Sequence, residues 1–262
     1  PALPYSAFGD GSLRSHSKQW LSGLELNFDV TEDLTLTSVT GFYKLDYFNV
    51  ANFTSTSRPD AILGSANLLD IREVSEEIRL ASSFAGPINF LIGGQYQDTK
   101  VISASLAAFG AVAGAPSVLG PTRPSPFVAS NYYLNQNGKA YSVFGQLQFK
   151  PIPEIELAAG GRYSHEEKGL VSAVNRAAEL VNVQPFLSNG GNRKKFNNFS
   201  PEISVSYRPT GDLNIYANYK RGFLSGGFNG GSFNAAGDFS YRPQKVKGFE
   251  AGVKSRLFDG KV

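Results

Sequence analysis

What most constrains this chain is a period-two alternation of apolar and polar residues that returns in segment after segment of its 262 residues. Leu213, Ile215, Ala217 and Tyr219 fall on one side, while Asn214, Tyr216, Asn218 and Lys220 fall on the other. Successive side chains of a β-strand point to opposite faces of a sheet, so this period predicts strands with two unlike faces. The pattern recurs with Leu24, Leu26 and Phe28 against Glu25 and Asn27, and with Ile88, Phe90, Ile92, Gly94 and Tyr96 against Asn89, Gln95 and Gln97. It recurs again with Tyr141, Val143, Leu147 and Phe149 against Ser142, Gln146 and Gln148, and with Phe199, Ile203, Val205 and Tyr207 against Ser200, Glu202, Ser204 and Ser206. Phe249, Ala251 and Val253 against Glu250 and Lys254 give the last instance.

The connections carry a second regularity. Short turns at residues 31–33, 85–87, 151–153, 209–212 and 259–260 alternate with long connections, which are read as loops over residues 49–70, 103–138 and 167–195 and after Gly222. Each long one follows the strand that leaves a short turn. A soluble sandwich has no reason to gather its short turns at one end, whereas outer-membrane barrels have short periplasmic turns and long outer loops. The apolar faces also end in Tyr or Phe, as a lipid face closed by an aromatic girdle would, and the strands fit the ~9–11 residues of a tilted span. The expected fold is therefore all-β, an antiparallel up-and-down transmembrane β-barrel, here an incomplete portion of about nine or ten strands. Alternation alone also suits a soluble β-sandwich binding module with a shared apolar core, so that reading stays open.

Composition narrows the chemistry. There are 20 Phe, 12 Tyr and 28 Gly but no Cys and no Met. Lack of Cys excludes disulfides, thiolate metal sites and Cys nucleophiles. A net charge of +3 with scattered Lys and Arg gives no basic tract for nucleic acid. No apolar run approaches the ~20 residues of a membrane helix. The opening residues, Pro1-Ala2-Leu3-Pro4, are neither a signal peptide nor headed by Met, so the natural beginning is expected to lie elsewhere.

Several stretches together resemble the barrel portion of TonB-dependent outer-membrane receptors: Glu76-Glu77-Ile78-Arg79-Leu80, Tyr141-Ser142-Val143-Phe144-Gly145-Gln146, Gly161-Arg162-Tyr163-Ser164-His165-Glu166-Glu167-Lys168, Arg221-Gly222-Phe223-Leu224-Ser225-Gly226-Gly227-Phe228-Asn229, and Phe249-Glu250-Ala251-Gly252-Val253-Lys254-Ser255. The resemblance implies a barrel of roughly 22 strands plugged by a separate domain, importing scarce ligands in the outer membrane of a Gram-negative cell. No plug, TonB box or terminal aromatic strand is recognisable, so residues 1–262 are expected to be a partial barrel lacking its plug and C-terminal strands. The implied partners are outer-membrane lipid, the plug and remaining strands, the TonB complex through that plug, and a small ligand such as an iron chelate. A plugless channel or adhesin barrel is the membrane alternative.

Local motifs add little chemistry. His165-Glu166-Glu167 invites a metal reading, but the other His, His16, is distant and no helical His pair exists, so solvated charges at an outer strand end are expected. Gly226-Gly227 and Gly230-Gly231 lack the Lys-Ser/Thr of a phosphate loop and read as flexible turns. No G-x-S-x-G or Ser, His and acid set occurs, so neither an enzyme nor a cofactor is expected. Glu77, Arg79, Arg162, Glu202, Glu250 and Lys254 are expected to line the lumen. Arg58, Tyr132, Tyr133, Arg193 and Lys194 are the ligand candidates, because external loops present cationic and aromatic groups. Arg221, Gly222, Phe223, Ser225, Gly226, Gly227 and Phe228 form the architectural motif where the chain leaves the bilayer.

Overall fold

The computed structural model describes residues 14–52, 63–109, 127–176, 189–228 and 240–256. They form strands β1 (Arg14–Thr31), β2 (Leu34–Asn52), β3 (Leu63–Ser82), β4 (Ile88–Phe109), β5 (Phe127–Ile152), β6 (Ile155–Arg176), β7 (Asn189–Thr210), β8 (Leu213–Leu224), β9 (Gly227–Phe228), β10 (Ser240–Tyr241) and β11 (Gln244–Ser255). One antiparallel sheet runs β1-β2-β3-β4-β5-β6-β7-β8-β11, and β9 pairs with β10 apart from it.

Four of the five expected short turns fall within the described residues, and all four are present. Glu32-Asp33 and Gly211-Asp212 each link two strands directly, and in both a threonine two residues earlier accepts from the aspartate N–H: Thr31 Oγ1 at 3.3 Å and Thr210 Oγ1 at 3.4 Å. At this end of the sheet the hairpins are also tied to one another, through Ser83 N to Asp33 O, Lys150 N to Pro87 O, Arg208 N to Glu154 O and Arg256 N to Asp212 O, at 2.7–2.8 Å.

Register puts most of the large apolar residues of the nine strands on one face. Leu26 to Ser38 to Ile78 to Gly94 to Val143 to Tyr163 to Phe199 is one continuous cross-strand line. That face is open to its surroundings: Val143 is 63% exposed, Ile203 59% and Phe199 60%. Among the described residues the buried apolar side chains are Val50, Ala66, Ala104, Ala158, Leu170 and Phe228, too small and scattered a set to be the core of a sandwich. A single nine-stranded sheet with one exposed apolar face ends the sandwich reading, because a sandwich buries that face against a second sheet.

The outer face changes character abruptly. Trp20, Tyr96, Tyr141, Tyr163, Tyr219 and Phe249 end the apolar belt, and the same-face residue one step beyond is Lys18, Asp98, Lys139, His165, Arg221 and Lys247 in turn. On β7 the belt runs from Phe199 to Tyr207, about the length a tilted span requires.

The strands are longer than expected. Segments 49–70, 103–138 and 167–195, read as loops, are in large part strand: β2 continues to Asn52, β3 starts at Leu63, β4 reaches Phe109, β5 starts at Phe127, β6 reaches Arg176 and β7 starts at Asn189. Beyond the aromatic row both faces meet water, so side-chain alternation lapses while the backbone ladder, which needs no side chain, continues. The turn expected at 259–260 lies outside the described residues.

Candidate functional site

The opposite, inner face is polar and cross-linked. Arg162 on β6 donates from Nη2 and Nε to Ser142 Oγ on β5, at 2.6 and 3.1 Å, and from Nη2 to Gln95 Oε1 on β4. Its guanidinium lies 5.2 Å from the centre of the Phe144 ring. Gln146 on β5 donates to Glu202 Oε1 on β7 at 2.9 Å, and Glu202 Oε2 lies 3.3 Å from Lys220 Nζ on β8. Adjacent strands lie ~4.8 Å apart, so two of these bonds pass over an intervening strand. Such reach suits the inside of a curved wall, where side chains converge.

The other expected lumen residues are held within the wall. Arg79 pairs with Glu77 at 3.2 Å. Glu250 accepts from Tyr216 at 2.9 Å and from Asn218 at 3.4 Å, and Lys254 lies 5.4 Å from the Tyr216 ring centre. These contacts use the side chains as braces, leaving little of them to grasp a ligand.

Past the level of the aromatic row the inner face opens into a concavity of ≈ 210 Å³, lined in part by Gln97, Thr99, Gln136, Glu166 and Lys168. Lys168 pairs with Glu166 at 3.6 Å. Its Nζ also donates to Ser225 Oγ at 2.5 Å and to Gly226 O at 3.1 Å, reaching from β6 to the segment after β8. Ser225, Gly226, Gly227 and Phe228 are consequently buried against the inner face. A Cβ on Gly226 would stand 2.4 Å from Tyr241 O and 2.6 Å from Phe196 Cε1, and one on Gly227 would stand 2.5 Å from Tyr241 Oη. The glycine pair, expected to be a flexible start to an external loop, is instead a tightly packed ribbon, and its glycines serve close approach. Lys168, which closes one of the quoted stretches, and Phe196 were not named as site residues from sequence, since their partners Ser225 and Gly226 are distant in the chain.

The remaining motif residues, Arg221, Gly222 and Phe223, lie in the last part of β8. Arg221 stands opposite Lys247, Gly222 opposite Val246 and Phe223 opposite Lys245, one step beyond the Tyr219–Phe249 pair.

Of the ligand candidates, Arg58 lies outside the described residues. The others are strand residues, which corrects their placement in loops: Tyr132 pairs with Ser105 and Val174, Tyr133 with Ala104 and Ala173, Arg193 with Gly169 and Lys194 with Lys168. Tyr133 and Arg193 share the register of the outer face. Lys194 shares that of the inner face, directly across from Lys168.

His165 stands on the outer face just past Tyr163. Its Nδ1 lies 2.7 Å from Asn197 Oδ1 and its Nε2 lies 3.2 Å from Glu167 Oε1, while Glu167 lies 2.6 Å from Lys195 Nζ. The bonds to Asn197 and then Glu167 raise the imidazole pKa, and those from Lys195 and then His165 lower that of Glu167. Among the described residues no three His, Asp or Glu side chains gather as metal ligands, and His16 sits on β1 opposite Phe48.

A family model described as TonB dependent receptor-like, beta-barrel, matches residues 2–262. The fold is similar to the ferric yersiniabactin uptake receptor FyuA from Yersinia pestis, with a TM-score of 0.72 at 15% identity over 93% of this chain and 34% of that one. It is also similar to the siderophore receptor PiuA from Acinetobacter baumannii, with a TM-score of 0.69 at 16% identity over 94% of this chain and 38% of that one. The Ferric-Catecholate import receptor Fiu from K12 E. coli gives a TM-score of 0.63 at 17% identity over 95% of this chain and 40% of that one. The chain thus spans well under half the length of each.

Proposed function

The chain belongs to the TonB-dependent receptor-like β-barrel family, and from that premise we propose that it forms part of the wall of a Gram-negative outer-membrane receptor importing a ferric siderophore. The observation that carries this reading is the division of one sheet into an apolar outer face and a hydrogen-bonded polar inner face. Such a wall suits a lipid surround and a wet lumen. Three similar structures are named as receptors for ferric yersiniabactin, a siderophore and ferric catecholates, which supports an iron chelate as the ligand class. The family is one of transport receptors, and the proposed role involves no catalysis.

In the complete receptor, further strands close the wall, and a plug inside it receives energy from the TonB complex. The inner concavity lined in part by Gln97, Thr99, Gln136 and the Lys168–Glu166 pair is the proposed ligand-facing surface, with Lys194 across the strand pair from Lys168 as its cationic contributor toward anionic chelates. Arg58, Tyr132, Tyr133 and Arg193 are proposed rim contributors. Deleting the complete gene and measuring uptake of labelled ferric siderophores under iron limitation tests this. Loss of TonB-dependent uptake is expected. Unchanged uptake of every ferric siderophore tried, or uptake that persists without TonB, would replace the reading with another nutrient or with a passive channel.

A further inference from the structure

One carboxyl interrupts the apolar outer face. The outward residues of β3 through the belt are Leu80, Ile78, Glu76 and Val74, and Arg72 follows one step beyond. Thr40 on β2 and Tyr96 on β4 stand opposite Glu76, and Ser38 on β2 stands opposite Ile78. Ser38 Oγ donates to Glu76 Oε1 at 2.7 Å, and Thr40 Oγ1 donates to Oε2 at 2.5 Å. Tyr96 takes no part, since its hydroxyl donates to Asp98 Oδ2 at 3.2 Å. Among the described residues no cation pairs with Glu76. Leu24, Leu26, Phe42, Ile78 and Val74 rim this polar island. Its strands, β2 and β3, are each paired on both sides, so the island is set in from the open edges of the sheet.

A carboxyl on the lipid side of a barrel strand costs stability, and such a group marks a place where polar chemistry is wanted. Two hydroxyls offset part of that cost, yet each carboxylate oxygen can accept more than the one bond it holds. The chemistry still wanted is a donor. An ammonium coming from the headgroup side is opposed by Arg72 and Lys44, which face each other one step beyond Val74 and Phe42. The donor that fits is therefore an uncharged N–H or O–H. Two residues of strand rise about 6.6 Å, so Glu76 lies about that far along the strand inside the outermost apolar pair, where acyl chains join their lipid's backbone.

We propose that Glu76, oriented by Ser38 and Thr40, accepts a hydrogen bond from the amide N–H or hydroxyl at the head of the acyl chains of an N-acylated, hydroxylated lipid. A lipid with two ester-linked chains presents only acceptors at that depth and gains nothing from the island. The apolar rim packs against the chains on either side of the donor, while Glu76 fixes where along the strand the donor sits. Recognition here reads the linkage of the chains and takes no part of the headgroup. The proposal rests on the lipid-facing reading of the outer face.

The test uses the full-length receptor in phosphatidylcholine nanodiscs containing a minority of sphingomyelin, with retained lipids counted by native mass spectrometry after extraction. The two lipids share a headgroup, and only sphingomyelin carries an amide N–H and a hydroxyl at the chain heads. Wild type is expected to retain sphingomyelin about fivefold above its share of the bilayer. E76L removes the acceptor and should return retention to the bulk ratio. S38A/T40A leaves the carboxyl free to turn away and should lower the preference about two- to threefold. E77Q, at the neighbouring residue on the inner face, should leave it unchanged. Leucine suits the apolar belt, so E76L is expected to fold; should it not, E76Q carries the comparison with one acceptor oxygen removed. Retention in the bulk ratio by wild type, or an unchanged preference in E76L, overturns the site. Receptor dimers that disappear in E76L make the island a contact between copies and overturn the lipid assignment. Failure of wild type to enter nanodiscs overturns the lipid-facing reading together with the site.

Discussion

Gly226 and Gly248 differ in what their missing side chains would meet. At Gly226 a methyl group runs into the Tyr241 carbonyl and the Phe196 ring, whereas at Gly248 it meets open space. Gly226→Ala should therefore destabilise the β9–β10 ribbon by about 1–3 kcal/mol, seen as faster hydrogen exchange at residues 225–228, and Gly248→Ala should leave that exchange unchanged. Equal exchange in the two variants would remove the close-approach argument. His165 gives a second residue-scale expectation. Its pKa is raised above the ordinary 6.5, so its favourable contacts are complete below that value and are lost as pH rises through the folded pKa. That of Glu167 is lowered from 4.5, so its contribution is complete above 4.5 and is lost as pH falls through its folded pKa. Local stability around β6 and β7 should peak between 4.5 and 6.5, and His165→Gln should flatten the upper limb in a pH series of hydrogen exchange. The sequence pointed to both places, since the glycine run and His165-Glu166-Glu167 stand out locally. It could not show what approaches them, because Phe196, Tyr241 and Lys195 arrive from other strands.

Neighbouring residues of a strand offer the sharpest test of which face meets lipid. Ile203 is on the outer face midway along the β7 belt and Ser204 is on the inner face. Ile203→Arg should cost about 2–4 kcal/mol of barrel stability and Ser204→Arg far less, measured by denaturant unfolding of the complete receptor in lipid. A reversed order would invert the faces. Across strands, Arg162→Ala removes the bonds to Ser142 and Gln95 that tie β6 to β5 and β4. A loss of about 1.5–3 kcal/mol is expected in the same measurement, with coupling to Gln95→Ala in a double-mutant cycle. Element identity was legible wherever one face is apolar, and the two-residue turns at Glu32-Asp33 and Gly211-Asp212 fell inside the short connections read from sequence. The outer arms of the strands were not, because beyond Lys100 and Lys168 apolar residues stand side by side, as in Val101-Ile102 and Leu170-Val171, and the period-two signal is lost although pairing continues.

For the wall as a whole, the decisive fact is one sheet whose terminal strands, β1 and β11, are not bonded to each other among the described residues. Unpaired N–H and C=O groups are not tolerated in hydrocarbon. The isolated chain of 262 residues is therefore expected to release no dye from liposomes, and a stable conducting pore formed by it would contradict the partial-wall reading. Fold class was legible at this scale from connection lengths together with aromatic strand ends such as Tyr96 and Tyr163. The inward ribbon at residues 225–228 was not, since nothing in a period-two pattern says that a segment folds back across the sheet.

Strand order in the sheet follows chain order from β1 to β8 and then β11. Every hairpin therefore bonds only to the hairpins made just before and just after it, and each new one finds a ready template in the edge its predecessor leaves open. Assembly can proceed as successive local additions, with slow long-range search confined to the final closure of the ring. The same order lets the circumference change by whole hairpins, because inserting one disturbs a single seam.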